Sequence, residues 1–557
     1  MTADMTSRHD TPFHAGELEA QRRAGVEHIA RSAGGFIRDR MPEQHREFFS
    51  ALPFVVVSAG DAQGRPWVTM LEGEDGFIAS PDPRTLSIAA TLAEHDPLAE
   101  AIGAGTEIGM LGIELATRRR NRANGRMRPA GDAFVVEVRQ SFGNCPQYIR
   151  EREWRRVEPS PAGARVSHRL EASQRARIAS ADTFFIGTGV SADADAAAGG
   201  ENPTRGYDAS HRGGEPGFVR VLDERTLQIP DYAGNNFFNT LGNLLRDPRV
   251  GLLFVDFETG GMLQLTGRAR IDWAPRASHD PHAQRLIEVT LERVVDRPAA
   301  LALRWNRQDE APLRLEVIDK VAESDRITSF HLGDADGGRL PPFEAGQHLA
   351  VELAIPDRPG RVGRSYSLSG SPYAERYRLS VKREDNGLAS RFLHDRLEVG
   401  DRISARPPAG AFVVPPSRDP LVLVSAGVGI TPMLAMLHQL VAENADRPVW
   451  FVHGTQHGQT HAFRTEVEEL VAASDANASR IHSRTCYSAP RAEDQAGLDY
   501  QAQGRITAGD LVALGAGPEA RYLLCGPVGF LAELSAGLEA EGIGAERIDF
   551  ETFGPAG

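Results

Sequence analysis

Cysteine is scarce in this chain: Cys145, Cys486 and Cys525 are the three among 557 residues, and no two are near neighbours. That spacing excludes a disulfide framework and a CxxC-type cluster, and a plant-type iron–sulfur centre needs more thiolates, closer together, than the chain has. So few cysteines fit a reducing compartment, and a cytoplasmic protein is expected. Long apolar runs are missing as well. No window approaches the roughly eighteen apolar residues of a membrane span, and the opening MTADMTSRHDTPFHAGE has no signal-peptide core. Nor is there a long block of one charge sign. The 76 acidic and 62 basic side chains are spread along the chain for a net charge of −14, which argues against a nucleic-acid partner. The one dense basic run, RRRNR at 118–122, reads either as a phosphate or partner site or as a solvated loop, and the loop is the preferred reading. His9, His14, His28 and His45 match no ligand spacing, so no metal is expected there.

What is present suits several domains. With 41% hydrophobic and 25% charged side chains over 557 residues, three or four soluble domains can each bury a core. The densest signals lie in the C-terminal half. RSYSLS at 364–369 sets on one strand a cation for a pyrophosphate (Arg364), a ring to stack on a flavin (Tyr366) and a hydroxyl for the flavin's reactive edge (Ser367). GLASRFLHD at 387–395 begins at Gly387, with Ser390 as a candidate helix cap, where free N–H groups can hold a phosphate. LVLVSAGVGITPML at 421–434 reads as a buried parallel strand turning into a helix, and LLCGPVGFL at 523–531 echoes it.

These pieces, in this order, resemble the ferredoxin–NADP reductase superfamily, and most closely the reductase half of flavohaemoglobins. The resemblance covers 313–557 and takes in FEAGQHL at 343–349, PPAGAF at 407–412 and FETFGP at 550–555. It implies an antiparallel β-barrel that binds FAD over 313–416 and an α/β, Rossmann-like domain that binds NAD(P)H over 420–557. By the resemblance Arg364, Tyr366, Ser367, Gln347, His348, Gly387 and Ser390 hold FAD. Gly427, Gly429, Thr431, Pro432, Cys525, Gly526 and Pro527 face the nicotinamide dinucleotide, and Glu551 and Phe553 close over the flavin edge. Ser367, Cys525 and Glu551 are the catalytic candidates, although Cys525 follows the apolar YLL and also reads as a buried structural cysteine. After VWFVHGT no acidic residue for a ribose hydroxyl and no arginine pair for a 2′-phosphate stands out, so NADH and NADPH both stay open.

The N-terminal half has a different texture. Residues 1–47 read as a polar arm with an amphipathic helical pattern from Gly16 to Arg38. From Phe48 onward, short β-branched runs separated by Gly, Asp and Pro suggest a small barrel. The order then repeats. Gly76-Phe77, Asp82 and Arg84-Thr85-Leu86 recur as Gly217-Phe218, Asp223 and Arg225-Thr226-Leu227, a constant offset of 141 (217 less 76). Gly109, Leu111, Thr117 and Gly125-Arg126 recur at an offset of 142 (267 less 125). Residues 48–180 and 181–310 are therefore expected to be two copies of one unit.

The second copy, with PDYAGNNFFNTLGNLLRDPRVGLLFVDF at 230–257 and LQLTGRARI at 263–271, resembles the pyridoxamine-phosphate-oxidase-like FMN-binding split barrels. Members of that family are usually homodimers, so the resemblance implies a pseudo-dimer within one chain and FMN as a candidate cofactor. Where that family grips the FMN phosphate with a serine and a basic residue, this turn offers Gly234, Asn235 and Asn236. SHRGG at 210–214 is the candidate substitute, with Ser210, His211 and Arg212 able to donate together, and Ser210, Arg212 and Asn236 are the candidate phosphate-binding residues. Against this, Asn235, Asn236, Asn239 and Asn243 also read as turn and capping residues, and the first copy as scaffold. SADADAAAGGENPTRG at 191–206 reads as a surface loop and 296–312 as the join between the halves.

The expected protein is an NAD(P)H-dependent FAD oxidoreductase. Two readings of its acceptor stand. Either the N-terminal pseudo-dimer holds FMN or a small-molecule substrate, or it is a flavin-free module that docks a separate redox partner. The oligomeric state stays open.

Overall fold

The computed structural model describes the chain except residues 1–10, 29, 31–33, 144–146, 159–162, 191–205, 277, 281, 308–311, 357–360, 476–480 and 553–557. Cys145, Phe553 and nearly all of the stretch at 191–206 thus lie outside the described residues. The chain divides into two compact units, Met1–Gln308 and Asp309–Gly557. No described helix is long and apolar enough to cross a membrane.

The first unit is built from two large antiparallel sheets and a two-stranded one of Arg152–Arg156 and Leu303–Arg307. The strands of the first are Phe54–Gly60, Pro66–Glu72, Ile78–Asp82, Thr85–Ile88, Thr106–Glu114, Arg119–Ala130 and Ala133–Gly143. Those of the second are Thr183–Val190, Gly206–Gly213, Arg220–Val221, Thr226–Asp231, Arg249–Asp256, Gly261–Asp272 and Arg285–Arg297. Counted along the chain within each sheet, both stand in the order 2-1-5-6-7-4-3, with a short extra strand, Arg165–Ser167, added on Arg285–Arg297 in the second. The sixth strand shifts register in each case, at Gly125 and at Gly267. A Cβ there would stand 3.1 Å from Val138 Cα or 3.0 Å from Leu291 Cα, so glycine is what lets the bulge close.

Phe54–Gly60 is buried at every position because both of its faces are covered. Val55 and Val57 pack on the inner face of their own sheet with Trp67, Ile108 and Val136. Phe54 and Val56 alternate to the other face, where with Val68, Leu111 and Ile113 they meet Phe185, Ala209, Leu253 and Val255 of the second repeat. At roughly 1.5–3 kcal/mol for each large aliphatic side chain fully buried, this shared core makes the pairing permanent. The backbones also approach closely and reciprocally. A Cβ on Gly109 would lie 2.5 Å from Asp208 Cα, and one on Gly251 would lie 2.8 Å from Trp67 Cα.

Two sequence expectations change here. RRRNR is not a solvated loop: Arg119 opens a strand, and Arg122 is 8% exposed. Strand alternation puts Arg120, Arg122 and Asn124 on one face, where residues of the second repeat give them hydrogen-bond partners. Nor does one helix run from Gly16 to Arg38. The helix is Ala15–Ala24, ended by Gly25 in the left-handed conformation (φ 70), which returns its N–H to the last turn. His14 caps its start: Nδ1 accepts from Gly16 N–H, and Glu17 accepts the His14 backbone N–H.

The second unit begins with an antiparallel sheet of Leu313–Ala322, Ile327–Asp334, His348–Leu353, Val362–Ser367, Tyr377–Lys382 and Arg402–Ala405, in the order 4-3-6-1-2-5. A bridge between Leu368 and Leu379 ties its two edges, which curls the sheet on itself. A wholly parallel sheet follows: Leu421–Ala426, Val449–Thr455, Ile481–Tyr487, Ala502–Gln503, Arg521–Gly526 and Ile548–Thr552, in the order 4-3-2-1-5-6. Its apolar first strand is buried between helices on both faces, as parallel strands must be. Arg378 ties the two parts together. Its guanidinium donates to both carboxylate oxygens of Glu466, each at 2.9 Å, while His438 Nε2 lies 2.6 Å from the same carboxylate. Burial alone would raise the Glu466 carboxyl, but the hydrogen bonds from His438 and Arg378 outweigh it and bring it down to about 2.

Candidate active site

Three helices of the second unit start without a side-chain cap: Leu388–Asp395 behind Gly387, Ile430–Ala442 behind Gly429 and Val528–Ala540 behind Pro527. Their first N–H groups and positive dipole ends are suited to phosphate. The last two stand at the carboxyl ends of Leu421–Ala426 and Arg521–Gly526, where the strand order of the parallel sheet reverses. Crevices at such a reversal are where dinucleotides bind. Gly427 is left-handed (φ 56) with open space where a Cβ would be, so a ligand can reach its backbone. Gly429 is the opposite case: a Cβ would lie 2.5 Å from the Cys525 carbonyl carbon. Gly526 is tight in the same way, 2.9 Å from the Phe530 ring. Thr431 is buried and donates its hydroxyl to the Val428 carbonyl at 3.0 Å, and Pro432 is buried beside it, so both shape the turn.

Cys525 is fully buried in a core that includes Leu423 and Ile430. Burial, reinforced by the Glu551 carboxylate, pushes its thiol well above the usual range. Its side chain is thus a neutral part of the core, in keeping with the structural reading rather than with a reacting thiolate.

On the barrel side, His348 pairs with Ser367 and Leu349 with Tyr366 along adjacent strands. Arg364 and Tyr366 share a face by alternation, and burial pushes the Tyr366 phenol up to about 12. Ser367 and His348 are 4% and 7% exposed. Glu551, on the last parallel strand, reaches both. The Ser367 hydroxyl donates to its carboxylate at 3.4 Å, and His348 Nδ1 lies 3.9 Å from its other oxygen. A hydroxyl, a carboxylate and an imidazole in this arrangement can hold and pass a proton. Two candidates act on the backbone instead. Gln347 accepts the Glu344 N–H through its side-chain oxygen at 3.0 Å. Ser390 does not cap its helix: its hydroxyl accepts the Glu384 N–H at 3.2 Å and donates to the Gly387 carbonyl at 3.3 Å, fixing the turn that precedes the helix.

In the first unit the candidate phosphate residues are not gathered as expected. Ser210 is 1% exposed, and its hydroxyl receives Arg122 at 2.5 Å with Thr240 Oγ1 at 3.2 Å, so it faces the other repeat and not a turn. Arg212 lies 3.6 Å from Asp231, which Arg285 also holds at 2.9 Å. Asn236 is a left-handed turn residue (φ 62), and Asn235 accepts the Phe237 N–H, as in a plain turn. Asn239 and Asn243 are neither turn nor cap residues. Asn239 accepts from Arg122 at 2.9 Å and donates to Glu17, while Asn243 links His14, Thr188 and Asp208. The sequence reading named Arg120 and Arg122 within the basic run and His211 within SHRGG, but did not bring the two stretches together. Burial and the nearby Asp208, Arg212 and Glu17 charges leave the Arg122 guanidinium at about 10. Burial and the guanidinium groups of Arg120, Arg212 and Arg152 hold His211 well below the usual imidazole range, and so neutral.

Residues 312–414 match the oxidoreductase FAD-binding domain family and residues 423–535 the oxidoreductase NAD-binding domain family. The second unit is thus an NAD(P)H-dependent FAD oxidoreductase module of the ferredoxin reductase type. Among individual proteins, the chain is 42% identical over 251 residues to a flavohemoprotein of Deinococcus radiodurans, covering 45% of this chain and 60% of that protein. It is 42% identical over 245 residues to a flavohemoprotein of Chromobacterium violaceum, covering 43% and 59%. The chain thus spans about three fifths of the length of the curated relatives it matches. Among solved structures, the FAD/NAD-binding domain of a nitric oxide dioxygenase from Vibrio cholerae is 34% identical, covering 44% of this chain and 99% of that one with a TM-score of 0.39.

Proposed function

We propose that the chain takes hydride from NAD(P)H onto FAD beside Ser367 and Glu551, and that the paired N-terminal barrels hold the electron acceptor, FMN or a small molecule. Bound FAD would supply an acceptor of two electrons able to release them singly or in pairs. Arg364 and the open helix start behind Gly387 would hold its phosphates, and Tyr366 its ring. The loops at Gly427–Gly429 and Gly526–Pro527 would hold the nicotinamide dinucleotide. The observation that carries this reading is the meeting of Glu551, from the nucleotide-binding domain, with Ser367 and His348 of the barrel. It makes one proton-holding group out of both halves of the module. The N-terminal part of the reading is supported by the half-buried Arg120, the buried Arg122 and the neutral His211 gathered where the two repeats meet.

The test is the flavin content of the purified full chain, with ferricyanide reduction by NAD(P)H. One FAD per chain, one FMN per chain and a rate that falls about 100-fold in Ser367→Ala with FAD retained are expected. No FAD, or a Ser367→Ala rate equal to wild type, would overturn the hydride step. FAD alone, with no small molecule reduced by the full chain, would favour the docking module for a separate redox protein.

A further inference from the structure

We infer that the paired barrels carry one anion-binding site per chain and not two, because the charged set survives on one side of their interface and has been replaced on the other. The inference rests on the reading that the N-terminal unit holds the acceptor. The strand ladders fix which residues correspond. Thr69 pairs with Val57, which pairs with Met110; Ser210 pairs with Ile186, which pairs with Leu252. Thr69, Met70 and Leu71 of the first repeat therefore stand where Ser210, His211 and Arg212 stand in the second. In the same way Arg120 pairs with Ile113 and Arg122 with Leu111, as Met262 pairs with Val255 and Gln264 with Leu253. Met262 and Gln264 thus stand where Arg120 and Arg122 stand.

Each interface site takes the second strand of one repeat and the sixth strand of the other. In one site Arg122 donates to Ser210 at 2.5 Å and Arg120 to His211 Nδ1 at 3.2 Å. In the other, Gln264 donates to the Val68 carbonyl at 3.0 Å, and Thr69 donates to Asp96. Asp96 is buried and held by Arg297 at 2.5 Å, so the charge in that second site is balanced by its own ion pair, and the atom left unpaired there among the described residues, Gln264 Oε1, is an acceptor that would repel an anion.

The first site is not closed. A guanidinium only donates, so His211 Nδ1 accepts from Arg120 and Nε2 carries the proton. Among the described residues that Nε2–H is buried without an acceptor, and so are Nε of Arg122 and Nε of Arg212. Buried donors left unpaired are costly, and an anion would satisfy them with charge-assisted bonds. The carboxylates nearby are already engaged. Asp208 accepts from Asn124 and Asn243 and lies 3.8 Å from Arg122, Asp231 is shared between Arg212 and Arg285, and Glu17 accepts from Asn239. The occupant that these unpaired donors call for is an anion, a phosphate above all.

The experiment is calorimetric titration of the FAD-saturated full chain with FMN, riboflavin and inorganic phosphate as probes. One FMN per chain is expected, with riboflavin, which has no phosphate, about 10- to 100-fold weaker. Arg122→Gln and Arg120→Met install residues that the same fold already carries at Gln264 and Met262, and each should weaken FMN by a similar factor. Arg212→Leu, which copies Leu71 in the same way, is a further variant, and the melting temperature of each reports folding. Two FMN per chain, equal affinity for FMN and riboflavin, or wild-type affinity in all three folded variants would overturn the inference and leave the acceptor reading standing. No binding of FMN or phosphate would overturn the inference and the FMN form of that reading together, and hydride transfer to FAD would be unaffected.

Discussion

Gly429→Ala is a demanding test of the nucleotide-binding loop because the added atom has one place to go. The residue's backbone (φ −60) suits alanine, so the substitution brings no conformational strain. The new Cβ would stand 2.5 Å from the Cys525 carbonyl carbon, whereas ordinary contact begins at 3.4 Å. The neighbour is backbone in the middle of the sheet, so the loop must move by about 1 Å. Overpacking of this kind costs about 1–3 kcal/mol of stability, and misplacement of a bound reactant by about 1 Å costs about 100-fold in rate. Gly427→Ala is the control. It meets nothing within 4 Å but is left-handed (φ 56), so it should cost about 1 kcal/mol and change kinetics less. The assay is steady-state ferricyanide reduction with NADH and with NADPH, together with FAD content and thermal unfolding. In Gly429→Ala, kcat/KM for the nucleotide should fall about 100-fold with FAD retained. Wild-type kcat/KM and melting temperature in Gly429→Ala would refute the placement of the loop.

Three further outcomes are expected. Arg378→Ala removes both bonds to Glu466 and should cost about 1–3 kcal/mol, while the Glu466 carboxyl rises from about 2 towards its ordinary value; unfolding in denaturant, and the pH dependence of that loss, check this. His45 and His461 are each held at about 4, mainly by burial, against 6.5 in the unfolded chain. Their folded values lie below the unfolded one, so their stabilisation is full above pH 6.5 and is lost as pH falls towards 4. It is about 3 kcal/mol for each, and the slope of the unfolding free energy against pH measures it. Asp182→Ala leaves the buried Arg152 without the carboxylate that it holds at 2.7 and 2.8 Å, and should cost about 3–5 kcal/mol in thermal unfolding of the full chain.

The features legible in the sequence are those whose cause is local. Gly427 and Gly429, the apolar run before them and the Arg364–Ser367 strand announce themselves because backbone freedom and alternation act over a few residues. The repeat was legible for a related reason: Gly109 and Gly251 must be glycine because each lets one copy's backbone touch the other's, and that requirement leaves matched glycines in both. Burial of charge was not legible. Arg122 reads as one arginine of a basic run, and what buries it lies 88 and 117 residues away, in Ser210 and Asn239. Arg378 and Glu466, 88 residues apart, are hidden in the same way. Ser390 shows the limit within a motif. The residue type suits a cap, and only the path of the chain at Glu384 turns its hydroxyl to the preceding turn.

Anaerobic rapid mixing of the FAD-loaded full chain with NADH, and separately with NADPH, follows the flavin absorbance and tests hydride transfer beside Ser367 and Glu551 most directly. Bleaching by at least one of the two nucleotides is expected, slowed about 100-fold in Glu551→Gln with FAD still bound. No bleaching by either nucleotide, or bleaching of Glu551→Gln at the wild-type rate, would contradict it.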